Sequence, residues 1–256
     1  MNNQRPILII TAGGSFPWII INAIAAEFPN TIVLQENPES KILFVRRKAR
    51  MQGWIQAIGQ FFTMVLSKFG KTLARRKIAN ILDRADVDMT PNGQVPVLAT
   101  SSVNSPECRE KIAELNPQVI VLISCRLVKA ETLNAIACPV LNYHPGITPA
   151  YRGMWGGYWA RAYGDVENYG STIHLVDSGI DTGDVIYQIR TTPSPDESIF
   201  TDAFTQAIEA RGTVVASIRD AVAGQLAPKP ANGQSRQHFH PPIWNYLWRG
   251  LRHRIW

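Results

Sequence analysis

Apolar residues near the amino terminus come in short runs that alternate with turn-forming and helical segments. Residues 6–11 are rich in isoleucine, and residues 12–15 contain two glycines and a serine, which suit a tight turn. Residues 17–28 have the composition of a helix, and residues 31–35 that of a second strand. A strand, a helix and another strand in this order predict a parallel sheet with crossover helices.

The central part of the chain continues this pattern. Residues 119–124 form an apolar, β-branched run of strand length, and residues 140–141 look like a second, short strand. Residues 170–177 alternate like a strand, and residues 184–190 have the pattern of its hairpin partner. The remaining predicted elements are a brief strand at 95–98, a helix at 105–115 that starts with Ser105 and Glu107, and a long amphipathic helix at 201–223 that Gly224 ends.

Residues 41–85 form a helical stretch with an unusual distribution of charge. Basic clusters at residues 46–50 and 75–77 flank an apolar middle, which contains Trp54, Ile55, Ile58, Phe61, Phe62, Val65, Leu66 and Phe69. One interpretation is a pair of amphipathic helices that cover the sheet and keep their charges solvated. Two others are peripheral contact with anionic lipid and a lid that holds a polyanionic acceptor such as a nucleotide sugar.

Composition indicates a folded protein with an anionic partner. The 256 residues are 45% apolar and 18% charged, which is enough to bury a substantial core. A formal net charge of +6 and a pI near 9.4 favour a phosphate-bearing substrate, nucleic acid or an acidic membrane face. We recognise no RNA-binding module beside that charge.

The cysteines and the apolar runs bear on location. Cys108, Cys125 and Cys138 have no metal-type spacing, and an odd number cannot pair completely, so we expect buried free thiols in a reducing cytoplasm. The amino terminus has no signal peptide with a small-residue cleavage site, and no apolar stretch reaches the roughly 20 residues that span a bilayer. We expect a cytoplasmic protein, with association at the inner face of the membrane as a further interpretation of the basic helical stretch.

Asn142 and His144 are the first candidates for chemistry. They follow a predicted buried strand, and the carboxyl ends of such strands are where open α/β sheets bind ligands. Alternation along an extended segment points both side chains to the same side. A protonated imidazole beside a carboxamide offers two donors to an oxygen that gains negative charge, as acyl transfer requires. Pro145 and Pro149 add rigidity to the loop, because each fixes its own φ and restricts the residue before it.

Asp181 is the candidate carboxylate. It lies between Gly179 and Gly183, in a turn that could bring it close to His144. A carboxylate there would favour the imidazolium form of the histidine and could receive, directly or through water, the proton lost by an attacking amine. Asp177 and Asp184 compete for this role, but they lie at the ends of predicted strands rather than at the centre of the loop.

Four ordered motifs together resemble the formyltransferase family. They are Asn142-x-His144-Pro145-Gly146, Pro149-x-Tyr151-Arg152-Gly153, Gly170-x-Thr172-Ile173-His174 and Asp181-x-Gly183-x-Val185-Ile186. The match is dense over about residues 119–188. That family uses 10-formyltetrahydrofolate to formylate primary amines, and its catalytic Asn, His and Asp carry over to Asn142, His144 and Asp181. The resemblance implies an α/β fold, a Rossmann-like open and mostly parallel sheet with helices on both faces.

The resemblance also implies where the folate binds. The expected contacts are Cys125, Arg126, Leu127 and Val128 after one strand, Leu141 before the catalytic asparagine, and Ser178, Gly179 and Ile180 before the catalytic aspartate. The chain departs from the family at two positions. It has Gly146 where a serine is common, which removes a hydroxyl near the acceptor, and Cys125 where a glycine is common, which narrows the space beside the pterin. No metal is expected.

The acceptor amine is less well specified. Gly14 and Ser15, between a strand and a helix, could bind a phosphate through backbone N–H groups, although a simple turn is an equal interpretation. Arg152 and Gly153 follow the catalytic pair and could bind an acceptor phosphate. We expect a small-molecule amine that carries phosphate, with an amino sugar on a nucleotide as the preferred acceptor. Alternatives are glycinamide ribonucleotide, methionyl-tRNA, and water, which would make the protein a 10-formyltetrahydrofolate hydrolase.

These expectations divide the chain in two. Residues 1–227 are predicted to form a catalytic domain with a basic helical insert at about 41–85. Residues 228–256 are predicted to form a basic, aromatic carboxy-terminal extension that docks onto the domain or onto a membrane surface.

Overall fold

The computed structural model describes residues 5–195 and 197–256. The strands are β1 (Ile7–Thr11), β2 (Thr31–Glu36), β3 (Val97–Thr100), β4 (Val119–Ile123), β5 (Val140–His144), β6 (Arg152–Gly153), β7 (Gly170–Leu175), β8 (Val185–Arg190) and β9 (Gln237–His238). The helices are α1 (Pro17–Glu27), α2 (Lys41–Gln52), α3 (Trp54–Leu73), α4 (Arg75–Ala85), α5 (Pro106–Leu115), α6 (Ala130–Leu133), α7 (Gly156–Ala162), α8 (Asp202–Val222) and α9 (Ile243–His253).

Seven strands form one sheet in the order β3-β2-β1-β4-β5-β7-β8. The pairs from β3 to β5 are parallel, and β7 pairs antiparallel with both β5 and β8. This architecture confirms the predicted Rossmann-like, mostly parallel sheet. It also confirms the predicted antiparallel hairpin.

Strand β1 shows how both faces of the sheet are covered. Ile7 and Ile9 point into a core cluster that contains residues of α1, α4 and α8. Leu8 and Ile10 point into a second cluster that contains residues of α5. Because alternate residues of a strand face opposite sides, one isoleucine-rich strand supports helices on both faces.

Strand β5 is longer than the sequence predicted. We expected it to end at Leu141, but it continues to His144. The reason is that both of its edges remain paired, with Tyr143 opposite Ile123 of β4 and His144 opposite Thr172 of β7. Asn142 and His144 are therefore held within the sheet rather than in a loop after it.

The basic helical stretch consists of three helices, so the interpretation as two helices was wrong. Gly53, with a φ of 86°, separates α2 from α3, and Ala74 separates α3 from α4. Among the side chains that the structure describes in these three helices, the buried ones in the sheet core are Ile78 and Leu82 of α4. Among the helices of the described residues, none is both long and apolar enough to cross a membrane.

Residues 228–256 fold back onto the rest of the chain. Strand β9 pairs in parallel with β6, and α9 packs against α3. Tyr246 of α9 is buried and shares a core cluster with Tyr158 of α7 and with Ile199. Packing of the tail onto the main body, one of the two predicted alternatives, is therefore observed.

Candidate active site

Asn142, His144 and Asp181 meet at one end of the sheet. Asn142 and His144 lie two residues apart on β5, so their side chains point to the same side, while Tyr143 between them points into the opposite core cluster. Asp181 lies in the loop between β7 and β8, where its φ of 50° turns the backbone. The convergence that the spacing predicted is present in the structure.

The imidazole of His144 is held from both sides. Its Nε2 lies 2.7 Å from the carbonyl oxygen of Tyr151, and because a carbonyl only accepts, Nε2 carries a hydrogen. Its Nδ1 lies 3.4 Å from Oδ2 of Asp181. Both ring nitrogens of His144 therefore face an acceptor oxygen. Only 4% of the residue is exposed, which shields this pair from solvent.

The carboxylate of Asp181 connects the other polar groups of the site. Its Oδ1 accepts a hydrogen bond of 3.1 Å from Nδ2 of Asn142, and its Oδ2 accepts one of 2.8 Å from the backbone N–H of Gly153. Burial alone would raise the pKa of this carboxyl. The charge of His144, followed by the hydrogen bonds from His174 and from the Gly153 N–H, outweighs burial and holds the pKa well below its usual range. Asp181 is therefore ionised at neutral pH.

Asp177 and Asp184, the competing carboxylates, have other surroundings. Oδ1 of Asp177 accepts hydrogen bonds from the Gly179 N–H and the Thr182 hydroxyl, at 3.0 and 2.7 Å, and so stabilises the turn itself. Asp184 is exposed at the start of β8. Of the three, Asp181 is the one that contacts His144.

His174 is a polar member of the site that the sequence reasoning did not single out. It lies on β7 directly opposite Asn142, and its Nε2 is 3.0 Å from Nδ2 of Asn142 and 3.5 Å from Oδ1 of Asp181. Its Nδ1 lies 2.7 Å from the carbonyl oxygen of Leu175, which fixes the ring. The available signal was its place in the third family motif, but only the strand register shows that it faces Asn142.

The two residues predicted to bind an acceptor phosphate support the Asp181 loop. Arg152 donates to the carbonyl oxygen of Ile180 at 2.7 Å and to the hydroxyl of Ser235 at 2.9 Å. Gly153, besides donating to Asp181, has a φ of 92°, and a Cβ there would lie 2.3 Å from the carbonyl oxygen of His238. Their contact with an acceptor stays a prediction.

The segment after β4, predicted to bind folate, is tied to the end of β2. The backbone N–H of Arg126 donates to Oε2 of Glu36 at 3.0 Å, and its guanidinium lies 3.6 Å from Oε1 of the same carboxylate. Burial, with the charge of Glu36 adding to it, raises the pKa of the Cys125 thiol. The segment follows β4, whose last residue pairs with Tyr143 of β5. Leu127 is exposed, whereas Val128 is buried.

The other predicted contacts differ in their setting. Leu141 is fully buried in the core cluster on the opposite side of β5 from Asn142, so its side chain packs in the core. Ser178 is exposed, and Gly179 and Ile180 are partly exposed. Gly14 and Ser15 are exposed at the carboxyl end of β1, next to the end of β4. Within the described part of the chain, no group of three or more His, Cys, Asp or Glu could hold a metal ion.

A polar cavity of about 460 Å³ lies behind the segment that follows His144. Its lining includes residues 147–151, two arginines (Arg190 and Arg236) and the ring of Tyr163. Tyr151 joins the cavity to the site, because its carbonyl accepts from His144 while its hydroxyl donates to Asp165 at 2.8 Å. The sequence did not indicate this cavity, since its lining comes from four separate stretches of the chain.

Residues 64–212 match the family model described as Formyl transferase, which covers more than half of the chain. The chain belongs to this family. The methionyl-tRNA formyltransferase of Sorangium cellulosum is 34% identical over 146 residues, which are 56% of this chain and 46% of that protein. The chain spans about half the length of the curated relatives it matches.

Solved structures of the family share the fold. Glycinamide ribonucleotide transformylase 1 of Symbiobacterium toebii has a TM-score of 0.59 at 17% identity, over 91% of this chain and 96% of that one. The N-formyltransferase of Helicobacter canadensis was solved in complex with folinic acid and dTDP-3-aminofucose. It has a TM-score of 0.54 at 13% identity, and the match covers 92% of this chain and 70% of that one. At these identities the likeness shows the fold.

Proposed function

We propose that this protein transfers a formyl group from 10-formyltetrahydrofolate to the primary amine of a small molecule. The observation that carries the proposal is the ionised carboxylate of Asp181 in contact with Asn142 at 3.1 Å and His144 at 3.4 Å. Membership of the formyl transferase family supports the reaction class. The Helicobacter canadensis structure, which holds folinic acid, supports a reduced folate as the formyl donor.

The proposed reaction is an acyl transfer in which the unprotonated amine attacks the formyl carbon. Asn142 and the His144 imidazolium stabilise the negative charge that develops on the formyl oxygen. Asp181 keeps His144 protonated and receives, directly or through water, the proton that the amine loses. The carbon–nitrogen bond to the folate then breaks, the folate nitrogen takes up a proton, and the amine leaves as its formamide.

Each of these donors faces an acceptor within the protein. Nδ2 of Asn142 donates to Asp181 and faces His174, and Nε2 of His144 donates to the Tyr151 carbonyl. A formyl oxygen must therefore replace one of these acceptors. We assign His174 a positioning role, because it contacts Asn142 and Asp181 and would act through them.

We propose that the segments 125–128 and 178–180 bind the folate. Leu141 would contribute through the backbone of β5, because its side chain packs in the core. These segments suit a pterin because one follows β4 next to the Asn142 strand, the other leads directly to Asp181, and Leu127 provides exposed apolar surface. Arg126 is held by Glu36, so we expect it to shape the segment rather than to pair with the folate.

For the acceptor, we propose an amino sugar carried on a nucleotide. The cavity next to Tyr151 contains Arg190 and Arg236 for phosphate and the ring of Tyr163 for a base, and it is continuous with the His144 segment. Gly14, Ser15, Arg152 and Gly153 remain the other proposed acceptor contacts. The dTDP-3-aminofucose bound to the Helicobacter canadensis protein supports this class of acceptor.

We further propose residues 1–227 as a cytoplasmic catalytic domain with an insert at 41–85, and residues 228–256 as its extension.

The deciding experiment is a screen of amino-sugar nucleotides, glycinamide ribonucleotide and methionyl-tRNA with 10-formyltetrahydrofolate, following release of tetrahydrofolate. We expect an amino-sugar nucleotide to accelerate release over the reaction with water. Release of formate at the same rate without an amine would instead favour the hydrolase. If no amine accelerates release and no formate appears, the proposal is wrong.

A matched pair of aspartates tests the site. Asp181→Asn should lower the rate by about a hundredfold to ten-thousandfold, because it removes the proton acceptor and the charge beside His144. Asp184→Asn, three residues after Asp181 in sequence and exposed, is the control and should keep the wild-type rate. Equal rates for both variants would contradict the role of Asp181.

A further inference from the structure

Helix α3 packs on the protein mainly with small and polar residues, and six of its large apolar residues are exposed to solvent. The buried residues are Ala57, Gly59, Gln60, Thr63, Ser67 and Gly70. The outward residues are Trp54, Ile55, Ile58, Phe62, Phe69 and Leu73, which are between 46% and 87% exposed. This is the reverse of a helix that covers a protein core.

Specific contacts hold α3 in this orientation. A Cβ on Gly59 would lie 2.4 Å from the ring of Trp244, and one on Gly70 would lie 2.1 Å from the ring of Phe200. Between them, the hydroxyl of Thr63 donates to the carbonyl oxygen of Pro241 at 2.7 Å. Turning the apolar face inward would break all three contacts, so the outward face is built into the fold.

Helix α9 extends the same surface. Its exposed apolar residues are Trp244, Leu247, Trp248 and Leu251, whose spacing of three, four and seven places them on one face. Trp244 covers Gly59 of α3 and is itself partly exposed, so the apolar faces of the two helices adjoin there. We call the outward faces of α3 and α9 the apolar platform. A platform of this extent is unusual on an isolated protein surface.

Positive charge is concentrated around the platform. Residues 41–85 contain eleven Lys and Arg and one Asp, whereas the rest of the chain contains fifteen basic and nineteen acidic residues. Arg46 and Arg50 of α2 line a pocket of about 300 Å³ together with Trp54, at the start of the platform. Arg252 and Arg254 are exposed at the end of α9. The partner is therefore apolar in its interior and anionic at its edge.

We propose that the platform docks on the surface of an anionic lipid bilayer. The aromatic and aliphatic side chains enter the boundary between head groups and acyl chains, and the arginines meet lipid phosphates. A second copy of this chain would place like charges opposite each other, and the phosphate backbone of RNA would leave the large apolar side chains exposed. The helices lie on the bilayer rather than cross it, because none of the described helices could span one.

The test uses the full chain and two kinds of vesicle, phosphatidylcholine alone and phosphatidylcholine with phosphatidylglycerol, in a sedimentation assay. We expect binding to the anionic vesicles that weakens with added salt, because screening reduces the arginine contribution. The double variant Ile55→Gln/Phe69→Gln should lower partitioning at least about tenfold, because less apolar surface is buried. Both residues are exposed, at 75% and 67%, so the variant should fold normally.

Val222→Gln is the matched control, since Val222 is exposed at the end of α8, outside the platform. It should bind vesicles like the wild type. Binding that is absent, or unchanged in the double variant, overturns the proposal. So does a dimer in solution that Ile55→Gln/Phe69→Gln dissociates, because a second copy would then cover the platform. These measurements do not involve formyl transfer, so they stand or fall separately from the enzymatic proposal.

Discussion

Replacing Gly146 by serine, the residue common in the family, should damage this protein. A Cβ at this position would lie 2.5 Å from the carbonyl oxygen of Tyr151, 2.6 Å from Nε2 of His144 and 3.2 Å from the Cα of Gly156. Because the two shortest contacts are to the Tyr151 carbonyl and the imidazole, both the Tyr151 backbone and the His144 ring must move to make room. The residue that carries the proposed positive charge would then lose its hydrogen bond to Tyr151.

The size of the effect follows from these distances. Overpacking of a buried site costs about 1–3 kcal/mol, which for a domain of this size lowers the melting temperature by about 2–12 °C. Displacement of His144 by about 1 Å should lower the rate of formyl transfer by about a hundredfold. Gly146→Ala adds only the Cβ and should show most of the same loss, which separates the steric effect from that of the hydroxyl.

The assay combines thermal unfolding with tetrahydrofolate release for both variants. Gly212→Ala is the control, because a Cβ there meets nothing within 4 Å and the position is in α8. That change should stabilise the protein by about 0.5–1 kcal/mol through helix propensity. A Gly146→Ser variant with unchanged stability and rate would refute the reasoning, since the serine would then fit where the structure leaves no room.

Three further predictions concern other positions. Gly59→Ala should lower the melting temperature although alanine favours helices, because its Cβ would meet the Trp244 ring at 2.4 Å; a higher melting temperature would contradict the packing of α3 on α9. Burial, with the positive charge of Lys48 adding to it, lowers the pKa of His240 to about 3. The contribution of this group to the free energy of unfolding should therefore be fully present above about pH 6.5. It should fall by about 1.4 kcal/mol per pH unit as the pH decreases from about 6.5 toward about 3. His240→Gln should flatten that slope in urea unfolding, and an unchanged slope would assign it to other groups. His174→Ala should lower kcat about tenfold to a hundredfold with KM little changed, and His174→Gln should restore part of the rate; a rise in KM alone would point to substrate contact instead.

The sequence identified some residues of the proposed site and missed others. Asn142 and His144 were recognisable because their spacing on an extended segment puts both on one side, whatever the rest of the fold does. Asp181 could be preferred over Asp177 and Asp184 from its place in the loop. His174 could not be found, because its contact with Asn142 depends on which residues of β5 and β7 lie opposite each other.

The basic helical stretch shows the opposite outcome. Its helices and its apolar middle were evident from composition, but the direction in which the apolar residues point was not. A helix with large apolar residues on one face is normally assumed to bury them. In α3 the small face is buried instead, because Gly59, Thr63 and Gly70 let α9 and Phe200 approach closely.

Periodicity and local chemistry in the sequence alone determined that the chain forms a parallel sheet with helices, and which asparagine, histidine and aspartate could act together. The sheet, the helices and the shared direction of Asn142 and His144 depend on residues a few positions apart, whereas Asp181 was indicated by its place in a loop and by the family motifs. The tertiary structure alone decided that Arg152 and Gly153 hold the Asp181 loop, that the tail packs on α3, and that an apolar surface faces outward. Each of these depends on contacts between segments far apart in sequence, where shape and backbone hydrogen bonding outweigh hydrophobic pattern.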